Sequence, residues 1–265
     1  MDDSTPLLLD SPLDCTSSRK LEQTYDELLC SSGDNNRWVY VPCLLVVMAI
    51  VGVNYSVLVP DLNTGQSIAF HILLGLLIVS WIQSIITHPG PVPEGWSQRV
   101  KELHEQHGGG IASRFEFNMA RNSWKPCRSH NDRVTGRLVL NMDHFCPWIC
   151  NTVGFCNRKF FVLFLFYTWM VLCLLVVALQ ARYGAEADRQ GGWSWFWVTY
   201  VGDALLGLVI LGFWAYHMWL ILINSTTVEQ AGRNPPAIYN VGAYANLQQA
   251  SHPPLTLCFA LRSRP

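Results

Sequence analysis

Four long apolar runs constrain the fold of this chain more than any other feature. They cover residues 39–59, 68–87 and 160–180, and a fourth lies within residues 195–223. A helix needs roughly 20 apolar residues to cross the hydrocarbon core of a bilayer. Only 14% of the 265 residues are charged, whereas soluble domains average about 25%. A soluble protein with four buried helices would have too little polar sequence to cover them. The sequence therefore predicts an all-α polytopic membrane protein with four transmembrane helices.

The basic residues predict how these helices are oriented. Ten Lys and Arg residues lie between the second and third runs, none between the first and second, and two between the third and fourth. Loops rich in Lys and Arg stay in the cytosol, so we expect the 2–3 loop and both termini to be cytosolic. The predicted organisation is a cytosolic tail at 1–37, helices 1 and 2 at 38–87, a cytosolic loop at 88–159, helices 3 and 4 with a short lumenal loop at 160–223, and a cytosolic tail at 224–265.

The composition also excludes several classes of protein. The net charge of −1 at pH 7 argues against a nucleic-acid partner. The N-terminus is acidic and polar, without the apolar segment of a cleaved signal peptide. The nine cysteines are scattered and include no Cys-x-x-Cys pair, so neither a disulfide scaffold nor a zinc finger is predicted.

Reactive side chains are concentrated at the end of the predicted cytosolic loop, next to the third run. Asp143, His144 and Cys146 stand within four positions, and Cys150 and Cys156 follow. Structural disulfides are rare in the cytosol, so a thiol here is a nucleophile, a metal ligand or a packed side chain. A histidine can take the proton of a cysteine, and a carboxylate can hold the imidazole in the required tautomer. Sequence neighbours need not face each other, so the spacing alone leaves the alternatives open.

A metal site is one of those alternatives. Zinc takes four tetrahedral ligands from thiolates and imidazoles. The candidate ligands near this stretch are Cys127, His130, His144, Cys146, Cys150 and Cys156. The other alternative is that Cys150 and Cys156 pack as small apolar side chains.

Five motifs in order along the chain indicate a family. They are WKPCRSH at 124–130, GRLVLNMDHFCPW at 136–148, NTVGFCNRKFF at 151–161, TTVE at 226–229 and YNVGAYANLQQA at 239–250. In order, spacing and topology, the chain resembles the DHHC protein S-acyltransferases, which are four-helix membrane enzymes with a cysteine-rich cytosolic loop.

The resemblance implies a protein S-palmitoyltransferase. Cys146 would accept a long-chain acyl group from palmitoyl-CoA or another acyl-CoA, with His144 as base and Asp143 orienting it. The acyl group would then pass to a cysteine of a membrane-associated protein at the bilayer. The candidates for acyl-CoA contacts are Arg128, Arg158, Lys159 and Trp148, and the alternative for the three basic residues is anchoring at the membrane surface. The remaining family motifs place structural roles on Thr226, Thr227, Glu229 and Asn246.

The chain departs from the family pattern at the family's zinc ligands. Asp-His-His-Cys reads Asp-His-Phe-Cys, with Phe145 in place of a zinc-binding histidine. In an ungapped alignment, the other ligand positions hold Asn118, Arg121, Asn131, Asp132, Thr135, Leu138 and Thr152. We therefore expect far less than one zinc per chain and no required cofactor beyond acyl-CoA. Metal loss removes folding free energy, and we expect an apolar cluster of Phe117, Leu138, Val139 and Phe145 to replace it.

Two further functions compete with the enzyme. One is a catalytically weak or inactive membrane scaffold that retains the fold. The other is a metal carrier or channel that uses Asp203 and His217 in the fourth run, since ionisable residues in lipid are often functional. These two residues are 14 positions apart, about four helical turns, so a direct shared site is not expected.

Short patterns in the N-terminal tail indicate which cellular membranes contain the protein. Asp3-x-x-x-Leu7-Leu8 and Tyr25-x-x-Leu28 resemble sorting signals that bind adaptor proteins. The sequence predicts a multi-pass protein of Golgi or endosomal membranes.

Overall fold

The computed structural model describes part of the chain. All of the described residues belong to one compact unit, residues 35–265. The described residues are 41–45, 48, 52, 62–90, 92, 95–107, 116–118, 123–190, 195–232 and 239–251. The sorting patterns and the predicted N-terminal tail lie outside them, as does most of the first apolar run, of which residues 41–45 are helical.

Six α-helices have both ends defined among these residues. In chain order they are α1 (Thr64–Ile86), α2 (Trp96–His107), α3 (Arg158–Gln190), α4 (Trp195–Leu222), α5 (Thr227–Ala231) and α6 (Ala243–Ser251). Three contain a segment long and apolar enough to cross a membrane, namely Thr64–Ile86, Arg158–Ala178 and Tyr200–Leu222. The described part of the chain is thus a mostly helical membrane protein. The remaining predicted span is the first apolar run, residues 39–59, most of which lies outside the described residues.

Helices α1 and α3 extend beyond the predicted apolar runs. Helix α1 begins at Thr64, four residues before the predicted run. Asn63 causes this early start, because its side chain accepts a hydrogen bond from the Gln66 backbone N–H and the Gln66 side chain accepts one from the Asn63 N–H. Helix α3 starts at Arg158 and continues to Gln190. Two residues that we assigned to the cytosolic loop, and residues 181–190 that we assigned to the lumenal loop, therefore belong to this helix.

The spanning helices present large apolar side chains on their outer faces. Val79 in α1 and Leu208 and Val209 in α4 are each about 60% exposed or more. Such surfaces are costly in water but suit a lipid environment, where the helices gain nothing by burying them.

The predicted cytosolic loop is not helical throughout. It contains α2 and, among the described residues, three two-stranded antiparallel hairpins. The strands are β1 (Glu116–Asn118), β2 (Ser123–Lys125), β3 (Ser129–Asn131), β4 (Leu138–Leu140), β5 (His144–Cys146) and β6 (Asn151–Val153), paired as β1–β2, β3–β4 and β5–β6.

The β5–β6 hairpin is fixed to the end of α1. The Asn151 side-chain amide donates to the backbone carbonyls of Ser84, Ile85 and Thr87 at 3.0–3.1 Å. These carbonyls belong to the last turn of α1 and to the residue that follows it, where a helix leaves its oxygens without internal partners. Val153 of the same hairpin is fully buried. The hairpin that carries His144 and Cys146 therefore sits directly on the end of a membrane-spanning helix.

Candidate active site

Asp143, His144 and Cys146 form one cluster. The Asp143 Oδ2 atom lies 2.7 Å from His144 Nδ1. His144 and Cys146 are the first and last residues of β5, and side chains two positions apart in a strand point to the same face. The His-x-Cys spacing therefore brings the imidazole and the thiol together, and the Cys146 side chain is one of the groups that raise the pKa of His144. Asp143 and Cys146 are buried, at 1% and 3% exposure.

The segment after α4 completes the surroundings of Asp143. The Thr227 backbone N–H donates to Asp143 Oδ1 at 2.8 Å, and the Thr227 hydroxyl donates to the Asp143 carbonyl at 2.5 Å. Arg158 Nη2 lies 3.9 Å from Oδ1. The Thr-Thr-x-Glu segment thus positions the carboxylate that orients His144.

Opposing effects set the charges in this cluster. Burial raises the pKa of Asp143, but the hydrogen bond from His144 and the charge of Arg158 outweigh it and lower the pKa to about 2. Burial lowers the pKa of His144, but its hydrogen bond with Asp143 and the neighbouring sulfur of Cys146 raise the pKa to about 9. The site at neutral pH therefore holds a carboxylate and an imidazolium. A cation next to a cysteine sulfur is the arrangement that favours the nucleophilic thiolate.

Comparison with known proteins agrees with this geometry. A sequence model of the family described as DHHC palmitoyltransferase matches residues 112–234. The chain is 31% identical over 243 residues to "Probable protein S-acyltransferase 13" of Arabidopsis thaliana, covering 78% of this chain and 79% of that protein. It is 32% identical over 237 residues to "Probable protein S-acyltransferase 12" of the same plant, covering 78% and 81%. It is also 30% identical over 205 residues to "Palmitoyltransferase ZDHHC2" of Mus musculus, covering 65% of this chain and 55% of that protein.

This chain belongs to the DHHC palmitoyltransferase family.

Within this DHHC protein, His217 of α4 joins the cluster of Asp143, His144 and Cys146, a contact that sequence reasoning did not find. Its ring is fully buried, and its Nδ1 atom lies 3.5 Å from Asp143 Oδ2. Its ring centroid lies 5.4 Å from that of His144. Neither ring nitrogen makes a hydrogen bond within the described part of the chain. The sequence did mark His217 as an ionisable residue in an apolar run, but its partner is 74 positions earlier in the chain. Asp203 does not take part in this cluster.

Arg128 and Glu229 join the loop of the DHHC protein to the segment after α4. Arg128 Nε and Nη2 donate to the two carboxylate oxygens of Glu229 at 2.5 and 2.9 Å. The same guanidinium donates to the side chain and the carbonyl of Asn224 at 2.9 and 2.8 Å. Thr226 and Glu229 form a capping box at the start of α5. Bidentate arginine–carboxylate pairs have defined geometry, so this pair fixes the loop against α5.

The four predicted acyl-CoA contacts lie in different environments. Arg128 makes the contacts above, and Arg158 is 6% exposed and donates to the Ser225 carbonyl at 2.7 Å. The Lys159 ammonium lies 4.8 Å from the centre of the Phe160 ring. Trp148 is half exposed, and its carbonyl accepts a hydrogen bond from the Trp81 indole. Their roles in acyl-CoA binding stay a prediction.

Asn246 fixes α6 to the end of α4. It is 2% exposed, and its side-chain amide donates to the Leu222 carbonyl at 2.7 Å and to Asn240 at 2.8 Å. Its side-chain oxygen accepts from the Val241 N–H. The asparagine of the C-terminal family motif therefore binds the last turn of α4, the helix that also contains His217.

The zinc-ligand positions of the family hold a different kind of cluster. Asp132 Oδ2 accepts hydrogen bonds from the hydroxyls of Thr135 and Thr152 at 2.6 and 2.5 Å, and Phe145 pairs with Thr152 across the β5–β6 hairpin. These residues do not fit a zinc ion, which needs thiolates, imidazoles or free carboxylate oxygens.

The predicted apolar replacement is therefore wrong in part. Val139 is fully buried and Leu138 and Phe145 are partly buried, but a polar group occupies the ligand positions. The side chain of Phe117 lies outside the described residues.

The structure also tests where the other proposed metal ligands lie. In the described segments, one group of three or more His, Cys, Asp or Glu residues has all its ligand atoms within 4.8 Å, and it is Asp143, His144 and His217. Cys150 and Cys156 are buried and Cys127 is exposed. The described structure does not assemble the thiol-based metal site that the sequence left open.

Proposed function

We propose that this chain is a protein S-palmitoyltransferase that moves a long-chain acyl group from acyl-CoA to cysteines of membrane-associated proteins. The observation that carries this proposal is the alignment of Asp143, His144 and Cys146 on the hairpin at the end of α1. Membership of the DHHC family, whose relatives are named as S-acyltransferases, supports the same reaction. The intact cluster favours the enzyme over an inactive scaffold.

The first half-reaction forms an acyl-enzyme. The Cys146 thiolate attacks the thioester carbonyl carbon of acyl-CoA, and a new S–C bond forms as the bond to the CoA sulfur breaks. The leaving CoA thiolate takes the proton of the His144 imidazolium. Asp143 remains ionised, with its pKa near 2, and holds the ring through Nδ1 in both protonation states.

The second half-reaction returns the site to its starting state. The neutral His144 takes the proton of a cysteine thiol on the protein substrate, and that thiolate attacks acyl-Cys146. The acyl group leaves on the substrate as the bond to the Cys146 sulfur breaks, and the proton remains on His144. No step needs a metal, and acyl-CoA is the only small-molecule reactant.

The position of the cluster supports a site at the membrane surface. It lies where α1 ends, α3 begins and α4 ends, so three membrane-spanning segments meet there. An acyl chain can then lie among apolar helices while CoA stays in water. We propose that the first apolar run supplies a fourth span and that the loop and both termini face the cytosol.

A location in Golgi or endosomal membranes is part of the proposal. It depends on the patterns Asp3-x-x-x-Leu7-Leu8 and Tyr25-x-x-Leu28. Deletion of residues 1–30 is expected to redistribute the protein, and an unchanged location would remove this part of the proposal.

The direct test uses purified protein with labelled palmitoyl-CoA and a cysteine-containing substrate protein. Wild type is expected to become labelled and to pass the label on, whereas Cys146→Ala should do neither. Cys127→Ala is the matched control, because Cys127 is an exposed cysteine of the same loop and its loss should leave transfer intact. Equal labelling of wild type and Cys146→Ala, or none in either, would refute the proposed function.

A further inference from the structure

The carboxylate of Asp132 is the centre of a buried hydrogen-bond cluster. Asp132, Thr135 and Thr152 are 2%, 8% and 0% exposed. Oδ2 accepts from both hydroxyls, and Oδ1 accepts from the Val134 backbone N–H at 2.9 Å. A buried carboxylate is costly unless its oxygens are paired. Here both oxygens have donors, so the group is satisfied where it lies.

The cluster joins two hairpins that are separate in sequence. Asp132 follows β3, and its backbone closes the turn to β4 through hydrogen bonds with Gly136 and Arg137 at 2.9 and 2.8 Å. Thr152 lies in β6, 20 positions later. The Asp132–Thr152 bond therefore connects the β3–β4 hairpin to the β5–β6 hairpin, which carries His144 and Cys146.

The same positions are the ones that the family resemblance marks as zinc ligands. Asp132, Thr135, Phe145 and Thr152 are four of the replaced positions, and they remain close together in space through the hydrogen bonds and the Phe145–Thr152 pairing. A zinc ion at such a place would tie the two hairpins. Here the carboxylate makes that connection through hydrogen bonds in place of a metal.

We propose that the Asp132–Thr135–Thr152 cluster replaces a zinc ion as the cross-link of the cytosolic loop, so that folding of the loop and acyl transfer proceed without zinc. Asp132 is then a positioning residue, which acts on His144 and Cys146 through Thr152 and the β5–β6 pairing. The inference goes beyond the reaction itself, because the cross-link and its independence of metal can be measured on an inactive protein.

The first experiment treats full-length wild type in detergent with a zinc chelator. We expect far less than one bound zinc before treatment, and an unchanged thermal midpoint and acylation rate afterwards. Stoichiometric zinc whose removal lowers the midpoint would overturn the inference. The zinc content and the midpoint do not depend on activity, so an inactive protein with a chelator-resistant fold would contradict the proposed function and leave the cross-link supported.

The second experiment removes the cross-link. Asp132→Ala is expected to slow formation of acyl-Cys146 by roughly 10²-fold, the effect of a misplacement of about 1 Å at a reacting group. Glu102→Ala is the matched control, because Glu102 is an exposed carboxylate on α2 and its loss should change neither the rate nor the midpoint. An Asp132→Ala variant with a wild-type rate and midpoint would contradict the positioning role.

The third experiment restores the metal site. A variant with Asp132→Cys, Thr135→Cys, Phe145→His and Thr152→Cys presents three thiols and an imidazole at the four positions. With zinc alone as the probe, we expect about one ion per chain and a thermal midpoint that now falls when the chelator is added. If the variant folds but binds no zinc, the four positions do not form a metal-sized site and the replacement account is wrong. If it does not fold, the chelator experiment on wild type decides.

Discussion

Two buried aspartates of the cytosolic loop, Asp132 and Asp143, serve different purposes because their partners differ. Asp132 accepts hydrogen bonds from two threonine hydroxyls and a backbone N–H, none of which titrates near neutral pH. Asp143 faces His144, His217 and Arg158, which are titratable or charged. The first carboxylate holds the two hairpins together and acts on the site only through their placement. The second controls the protonation and orientation of an imidazole beside a thiol.

The largest expected effect separates the two carboxylates directly. Asp143→Asn leaves a side chain of the same shape but removes the charge that fixes the His144 tautomer, so acylation of Cys146 should slow roughly 10²–10⁴-fold. Single-turnover acylation with excess palmitoyl-CoA measures this rate. Asp132→Asn is the paired variant, and we expect it to lower the thermal midpoint and to slow acylation less than Asp143→Asn does. If Asp132→Asn slowed acylation as much as Asp143→Asn while the thermal midpoint stayed unchanged, the division of roles would be wrong.

His217→Phe sharpens the account of the catalytic cluster. Phenylalanine keeps the packing of a planar ring against Phe161 and Phe213 but removes the nitrogen that faces Asp143 Oδ2. We expect acylation to slow about tenfold, equivalent to about 1.4 kcal/mol, with the thermal midpoint unchanged. His71→Phe, at an exposed histidine of α1, should change neither. If the thermal midpoint of His217→Phe fell together with its acylation rate, His217 would serve packing alone.

The sequence predicted local features well and long-range contacts poorly. The apolar runs predicted α4 and most of α3, because composition decides which segments enter a membrane. The closeness of Asp143, His144 and Cys146 was predictable because the three residues lie within four consecutive positions. The contacts of His217, and the Arg128–Glu229 pair 101 positions apart, depend on how α4 and the loop pack, which local spacing does not encode.

A smaller effect is expected from pH. The pKa of His144 is raised from 6.5 to about 9, so its protonated form stabilises the fold fully below pH 6.5, and this stabilisation is lost as the pH rises through 9. The pKa of Asp143 is lowered from 3.8 to about 2, so its contribution is present above pH 3.8 and is lost as the pH falls through 2. Thermal midpoints of wild type and His144→Gln between pH 6 and pH 10 test the first statement. The thermal midpoint of wild type should exceed that of His144→Gln at pH 6, and the difference should disappear as the pH rises through 9. A difference that stays constant with pH would contradict the raised pKa of His144.

No modification is expected at Asn224, the smallest effect of the set. Asn224-Ser225-Thr226 is a glycosylation acceptor sequence that we place on the cytosolic side. The Asn224 amide also donates to the Tyr239 carbonyl and to Gln249 at 2.8 and 2.9 Å. Protein expressed in a eukaryotic cell should show no mass shift on treatment with an N-glycosidase. A glycan on Asn224 would reverse the proposed orientation of the loop.

The most direct measurement locates the acyl group by peptide mass spectrometry after brief exposure of the purified protein to palmitoyl-CoA. We expect a palmitoyl group on the peptide that contains Cys146, its removal by hydroxylamine, and its absence in His144→Ala at the same short time. Cys150 and Cys156 are close in sequence, but Cys146 is the cysteine that raises the pKa of His144, so the other two should stay unmodified. An acyl group on another cysteine while Cys146 remains unmodified would contradict the assignment of Cys146 as the nucleophile.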